Sequence, residues 1–211
     1  VVGAVYPYGC VWSKPLPRSK LNARLHPEIH RMKLQGSCHC GAVRFAVEAQ
    51  SPVPYLHCHC SICRKTAGGG GYAINLGADA RTLKVRGRRH LRVYHARLRE
   101  AGRRTRRSPA ERHFCGECGS ALWLWDPRWP ELVHPHASAI DTPLPRPPQI
   151  VEAALAYAAN WVEIADDARH LRCRTWPAES LADWHRRHGL VGGRRQRTSA
   201  ARRARLNAPI A

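Results

Sequence analysis

Along this chain, apolar and polar positions alternate with the two-residue period of a half-buried strand far more often than with the period of a helix. Val43-Arg44-Phe45-Ala46-Val47-Glu48 carries bulky apolar residues at every second position. Tyr55-Leu56-His57-Cys58, Tyr72-Ala73-Ile74-Asn75-Leu76, Leu83-Lys84-Val85 and Leu91-Arg92-Val93-Tyr94 predict further short strands. Ala121-Leu122-Trp123-Leu124-Trp125 predicts a buried strand, stopped by Asp126-Pro127, with Trp123 and Trp125 in the core. Trp161-Val162-Glu163-Ile164 predicts one more. A single helix is clearly marked: Ser180 and Asp183 form an S-x-x-D capping box, Leu181 and Trp184 share a face, and Gly189 ends it. Many short strands with one dependable helix predict a mainly β domain.

Breaker residues set the expected organisation. Pro7, Pro15, Pro17 and Pro27 punctuate residues 1–31, which show no sustained period and read as an ill-ordered extension. The sole methionine, Met32, stands where ordered sequence begins, so the domain is expected over 32–190, followed by a basic tail at 191–211. Pro143 to Pro148 holds four prolines in six residues and predicts an extended connector. Two readings of Gly68 to Gly71 stay open: backbone brought close to a ligand, or a flexible connection.

At 211 residues and 44% hydrophobic content the chain has enough material for one core. No run reaches the eighteen apolar residues of a membrane span, and Val1 to Trp12 lacks the pattern of a signal peptide, so a reducing, cytoplasmic setting is expected. The formal charge of +20 raises the possibility of a nucleic-acid partner. Its distribution weakens that reading, because the two ends carry half of the charge. Most of the rest lies between Arg81 and Arg112, which holds thirteen Lys/Arg and two Glu and reads as an exposed basic loop, densest at Arg103 to Arg107.

Seven of the nine cysteines fall into tight groups: Cys38 and Cys40; Cys58, Cys60 and Cys63; Cys115 and Cys118. In a reducing compartment such spacing reads as metal ligation rather than disulfide pairing. Cys10 and Cys173 stand apart and are expected as free thiols. Cys58, Cys60 and Cys63 span six residues, so one metal gathers all three. The pairs Cys38/Cys40 and Cys115/Cys118 make a second, closed set if their strands lie side by side. Zinc suits both: a structural site takes four protein ligands, and a site that does chemistry takes three and keeps a position open. A fourth ligand from His57, His59 or another residue would close the three-cysteine site, although alternation turns His59 away from the metal. His39, His113, His134 and His136 are expected as surface or packing residues.

The segments Gly36-Ser37-Cys38-His39-Cys40-Gly41-Ala42-Val43-Arg44-Phe45, His57-Cys58-His59-Cys60-Ser61-Ile62-Cys63-Arg64-Lys65 and His113-Phe114-Cys115-Gly116-Glu117-Cys118-Gly119-Ser120 closely resemble the glutathione-dependent formaldehyde-activating enzymes, also called the centromere protein V family. The resemblance runs from about Met32 to about Leu190. It implies an Mss4-like complex β fold and two zinc ions per chain. Cys38, Cys40, Cys115 and Cys118 match the family's structural set, and Cys58, Cys60 and Cys63 its catalytic set. The implied activity is that of a carbon–sulfur lyase, S-(hydroxymethyl)glutathione synthase, whose partners are a small thiol such as glutathione and an aldehyde. The glycine run, the basic loop, the tryptophan-rich segment from Trp123 to Pro130 and the late helix resemble a bacterial branch rather than the namesake enzyme. The alternative is a zinc-stabilised module that binds nucleic acid or a protein without catalysis.

Overall fold

The structure, a computed structural model, describes residues 10–12, 31–99 and 104–190. These form two main sheets, a two-stranded ribbon and two short α-helices, so the fold is mainly β as the alternation predicts. The larger sheet holds β2 (Met32–Ser37), β3 (Arg44–Ala49), β6 (Ala78–Arg86), β12 (Leu132–Pro135), β11 (Ala121–Trp125), β10 (Glu111–Cys115) and β7 (Leu91–Tyr94), in that spatial order and antiparallel throughout. The smaller sheet runs β1 (Cys10–Trp12), β14 (His170–Cys173), β13 (Ile150–Ala153), β4 (Tyr55–Cys58) and β5 (Ala73–Asn75). Its centre is parallel, β13 lying between β14 and β4.

Alternation decides which side chains go inward. On β3, Phe45, Val47 and Ala49 are buried while Arg44 is exposed. Leu34 from β2, Leu122 and Trp123 from β11 and Val133 from β12 meet them in one core. The Phe45 and Trp123 rings pack edge to face at 5.1 Å. β3 pairs with β6 across a bulge between Ala46 and Glu48, and β12 meets β6 only at Ala78 and Asp79. A bulge of this kind bends and twists a strand, and here the larger sheet curls until its two ends approach one another. The sheets meet along a seam where Asn75 bridges His136 and the Leu76 N–H donates to Pro135 O.

Several expectations change. Cys10 and Cys173 are not free thiols: β1 pairs antiparallel with β14, these two residues are cross-strand partners with Cα atoms 4.0 Å apart, and they form a disulfide. Residues 10–12, expected within an ill-ordered extension, thus form an edge strand; residues 1–9 and 13–30, the tail at 191–211 and the centre of the basic loop at 100–103 lie outside the described residues. Trp161 to Ile164 is irregular rather than a strand, and Trp161 is 60% exposed. The strands that complete the smaller sheet are β13 and β14. Flanking the basic loop, β8 (Arg97–Leu98) and β9 (Arg106–Arg107) pair as a ribbon. The late helix, α2 (Leu181–Arg187), starts as its capping box predicts, with the Asp183 N–H donating to Ser180 Oγ at 3.1 Å. Trp184 buries against the core and donates to Gln149 Oε1.

Candidate functional site

The four sulfurs of Cys38, Cys40, Cys115 and Cys118 lie within 4.8 Å of one another. Each pair sits in a tight turn of similar build. The Gly41 N–H donates to Cys38 O and the Gly119 N–H to Cys115 O, and both glycines sit at φ +74°, a conformation costly for any residue with a Cβ. The expectation that the two strands run side by side does not hold: β2 is one edge of the larger sheet and β10 is next to the other. Curling brings them together instead, so that Cys40 Sγ lies 3.8 Å from Cys115 Sγ and the His39 N–H donates to Ser120 Oγ. Cys38 and Cys115 are buried, whereas Cys40 and Cys118 are exposed. The Ser120 hydroxyl beside Cys118 brings that thiol down to about 5.

The second group has a different setting. Cys58 ends β4, and Cys60 is the N-cap of α1 (Ser61–Ala67), its sulfur accepting from the Cys63 N–H at 3.4 Å. Gly68 ends the helix, and Arg64 and Lys65 in its last turn complement the helix dipole. Cys58 and Cys63 are buried and Cys60 only partly so. The three sulfurs lie within 4.8 Å, and among the described residues no histidine, carboxylate or further cysteine joins them at that range. Hydrogen bonds from Cys58 and then Cys63 pull the Cys60 thiol down to about 2, while the Cys58 thiol is pushed up by Cys60, by Cys63 and by burial. One sulfur ionises at the expense of its neighbours. A cation among them removes that conflict, and soft thiolates in this arrangement fit zinc. Arg112 on β10 adds a positive charge, with Nη2 3.9 Å from Cys63 Sγ.

Behind these cysteines lies a buried polar network. Alternation turns His57 and His59 away from Cys58 and Cys60, toward Glu152 on the neighbouring strand β13. His57 Nδ1 bonds Glu152 Oε1 at 3.1 Å, His59 Nε2 bonds Oε2 at 2.5 Å and His170 Nδ1 bonds Oε1 at 2.8 Å. Glu152 is 3% exposed and His59 fully buried. Burial alone would raise the Glu152 carboxyl, yet the bonds from His57 and His59 hold it well below the usual carboxylate range. Tyr72 stacks on His57 with ring centroids 4.3 Å apart. The glycine run is tight at both ends and open between: a Cβ on Gly68 would meet the Tyr72 backbone and one on Gly71 the Val162 side chain, whereas Gly69 and Gly70 face open space.

The sequence model of the family described as glutathione-dependent formaldehyde-activating enzyme matches residues 33–157. The chain belongs to this family. A Halomonas elongata protein, provisionally named a glutathione-dependent formaldehyde-activating enzyme, is 56% identical over 162 residues, which cover 77% of this chain and all of that protein. A Rhodobacter sphaeroides protein of known crystal structure is 30% identical, with a TM-score of 0.42, over 53% of this chain and 92% of that one.

Within the family match lie all seven clustered cysteines, and the fold gathers them into the four and three that their spacing implies. His59 turns from the sulfurs as alternation predicts, and His57 does the same. His134 and His136 bond Leu76 O and Asn75 Oδ1, and His113 stacks on Trp123. Sequence reasoning missed Glu152, His170, Arg112 and α1. The only signal for Glu152 was a charge inside the apolar run Ile150-Val151-Glu152-Ala153, a strand whose four residues are all buried. A carboxylate there must have partners. Among the described residues no helix is long and apolar enough to cross a membrane.

Proposed function

We propose that this chain is a zinc-dependent carbon–sulfur lyase acting on a thiol–aldehyde adduct, with glutathione as the thiol and formaldehyde as the aldehyde, as in an S-(hydroxymethyl)glutathione synthase. Two zinc ions per chain are proposed: one held by Cys38, Cys40, Cys115 and Cys118 to fasten the fold, the other by Cys58, Cys60 and Cys63 at the reacting centre. The reading is carried by the three-sulfur group, which among the described residues has no further histidine, carboxylate or cysteine ligand atom within 4.8 Å and leaves Cys60 partly accessible. When bound there, zinc supplies a Lewis acid that brings the pKa of a thiol toward neutrality.

The chain's own residues do the rest. Arg112 offsets negative charge at the sulfurs. Burial of Cys58 and Cys63 confines approach to the Cys60 side. Glu152 holds His57 and His59, and with them the backbone on both sides of Cys58. In the forward direction the thiol sulfur bonds to the carbonyl carbon, the carbon–oxygen π bond breaks, and the thiol proton ends on oxygen as a hydroxyl; the lyase direction is the reverse.

The test is exchange NMR of glutathione and formaldehyde against their S-hydroxymethyl adduct, with and without enzyme. Acceleration of the exchange that disappears in Cys60→Ser is expected. Acceleration undiminished in that variant would reject reaction at this centre, and none in the parent protein would reject these substrates.

A further inference from the structure

Cys10 and Cys173 both lie outside residues 33–157, the part of the chain that the family's sequence model matches, so the bond between them stands apart from the family's pattern. The other seven cysteines are free and gathered in the two sulfur groups. A protein that depends on seven reduced thiols suits surroundings in which small thiols are plentiful. A disulfide made there is ordinarily transient, with a catalytic or redox-sensing role.

Its position makes the bond both reachable and consequential. β1 is three residues long and pairs with β14 alone, so strand and crosslink share one edge of the smaller sheet. A short edge strand opens locally far more readily than the sheet as a whole. Closed, the bond is covered: Cys10 is 4% exposed and Cys173 fully buried. Leu171, Val151 and Leu56, from β14, β13 and β4 in turn, pack with these two residues. Leu56 stands two residues before Cys58 and so shares its face of β4.

The opposite face of the same strands carries His170, Glu152 and His57. The register steps from Val11 to Arg172 to Glu152 to His57 across four neighbouring strands. The crosslink thus lies at one end of a ladder whose other end delivers Cys58. While it is closed, β14 is an interior strand. Once the bond opens and β1 leaves, β14 becomes the edge, and only β13 keeps His170 against Glu152.

We propose that Cys10–Cys173 is a thiol–disulfide exchange site for small-molecule thiols, and that opening it releases β1 and loosens the β14–β13 pair behind the three-cysteine group. The thiolate of one small thiol attacks Cys10 Sγ, the less buried of the two sulfurs. The sulfur–sulfur bond breaks, Cys173 leaves and takes up a proton, and a mixed disulfide forms on Cys10. A second thiol attacks the small-molecule sulfur of that mixed disulfide and frees Cys10 as a thiol. The protein gains two electrons and two protons, and the two small thiols leave as their disulfide. The step needs neither zinc nor the lyase reaction, so it stands or falls apart from that reading.

The test takes full-length, metal-loaded protein through a series of reduced-to-oxidised glutathione ratios, with acid quenching, alkylation and peptide mass spectrometry. Cys10–Cys173 is expected to pass from closed to open within the series. Hydrogen exchange over 170–173 and 150–153 is expected to rise about tenfold or more in the open form, with little change over β11 in the larger sheet. Cys10→Ser, which cannot form the bond, is expected to show the open-form exchange at every ratio. A bond that stays closed throughout, or that never closes, overturns the assignment. So does a bond that opens with exchange over 170–173 unaltered, or a Cys10→Ser chain that still responds to the ratio over those residues. The parent protein alone carries the first two readouts, which hold whether or not the variant folds.

Discussion

The two sulfur groups differ in what surrounds them. Cys38, Cys40, Cys115 and Cys118 sit in turns from opposite ends of a curled sheet, with two of the four sulfurs exposed and the other two, on Cys38 and Cys115, packed into the main apolar core. Cys58, Cys60 and Cys63 lie at the junction of a strand and a helix, two of three sulfurs buried, with a carboxylate and three imidazoles behind them. The first group joins segments far apart in sequence, and on the proposed reading zinc fastens them. The second is built from six consecutive residues backed by a buried polar network, and on the same reading its metal keeps a position for substrate.

The largest effect that would break this contrast is on folding. Structural zinc in small domains contributes about 10 kcal/mol or more, comparable with the whole stability of a domain, so Cys115→Ser is expected to abolish a cooperative unfolding transition in thermal denaturation. Cys58→Ser is expected to retain one. Equal losses would erase the distinction between fastening and reacting centres.

The buried network comes next. Glu152→Ala leaves His57, His59 and His170 without their acceptor in the interior and is expected to cost about 3–5 kcal/mol in urea unfolding, with Glu152→Gln costing less. A loss under 1 kcal/mol would mean that the cysteines are not held from behind.

The seam between the sheets gives a pH-dependent test. Burial, with Arg112 and His134 adding to it, lowers the His136 imidazole to about 4 from an ordinary 6.5. The folded state therefore favours neutral His136. Its contribution is fully present above about pH 6.5 and falls away as pH drops toward 4, by about 3 kcal/mol in total. His136→Asn is expected to flatten this part of the stability profile measured by urea denaturation between pH 4 and 7; an unchanged slope would remove His136 from the account. The smallest effect is at α2, remote in sequence from both sulfur groups, where Ser180→Ala removes the cap and costs about 1 kcal/mol without altering metal content.

Particular residues show what could be read beforehand. Phe45 and Val47 announced β3 because one face of it is buried, and Ser180 announced α2 because capping is local chemistry. Both cysteine groups were legible, since short spacing leaves few ways to arrange sulfurs. Glu152 was not, because its partners come from β4 and β14 and its strand is parallel, buried and four residues long. The Cys10–Cys173 bond escaped for the same reason: a register between strands 163 residues apart is written in tertiary structure. Trp161 to Ile164 misled because an alternating pattern does not by itself supply a neighbouring strand, and Trp161 remains exposed beside Gly71.

Metal counting on Cys60→Ser tests the central claim most directly. Elemental analysis of the purified variant beside the parent is predicted to give two zinc ions per parent chain and close to one in the variant, with the thermal transition retained and glutathione–formaldehyde exchange lost. Two firmly held zinc ions and full activity in Cys60→Ser, or a variant that no longer folds, would contradict the division of these seven cysteines into a group that fastens and a group that reacts.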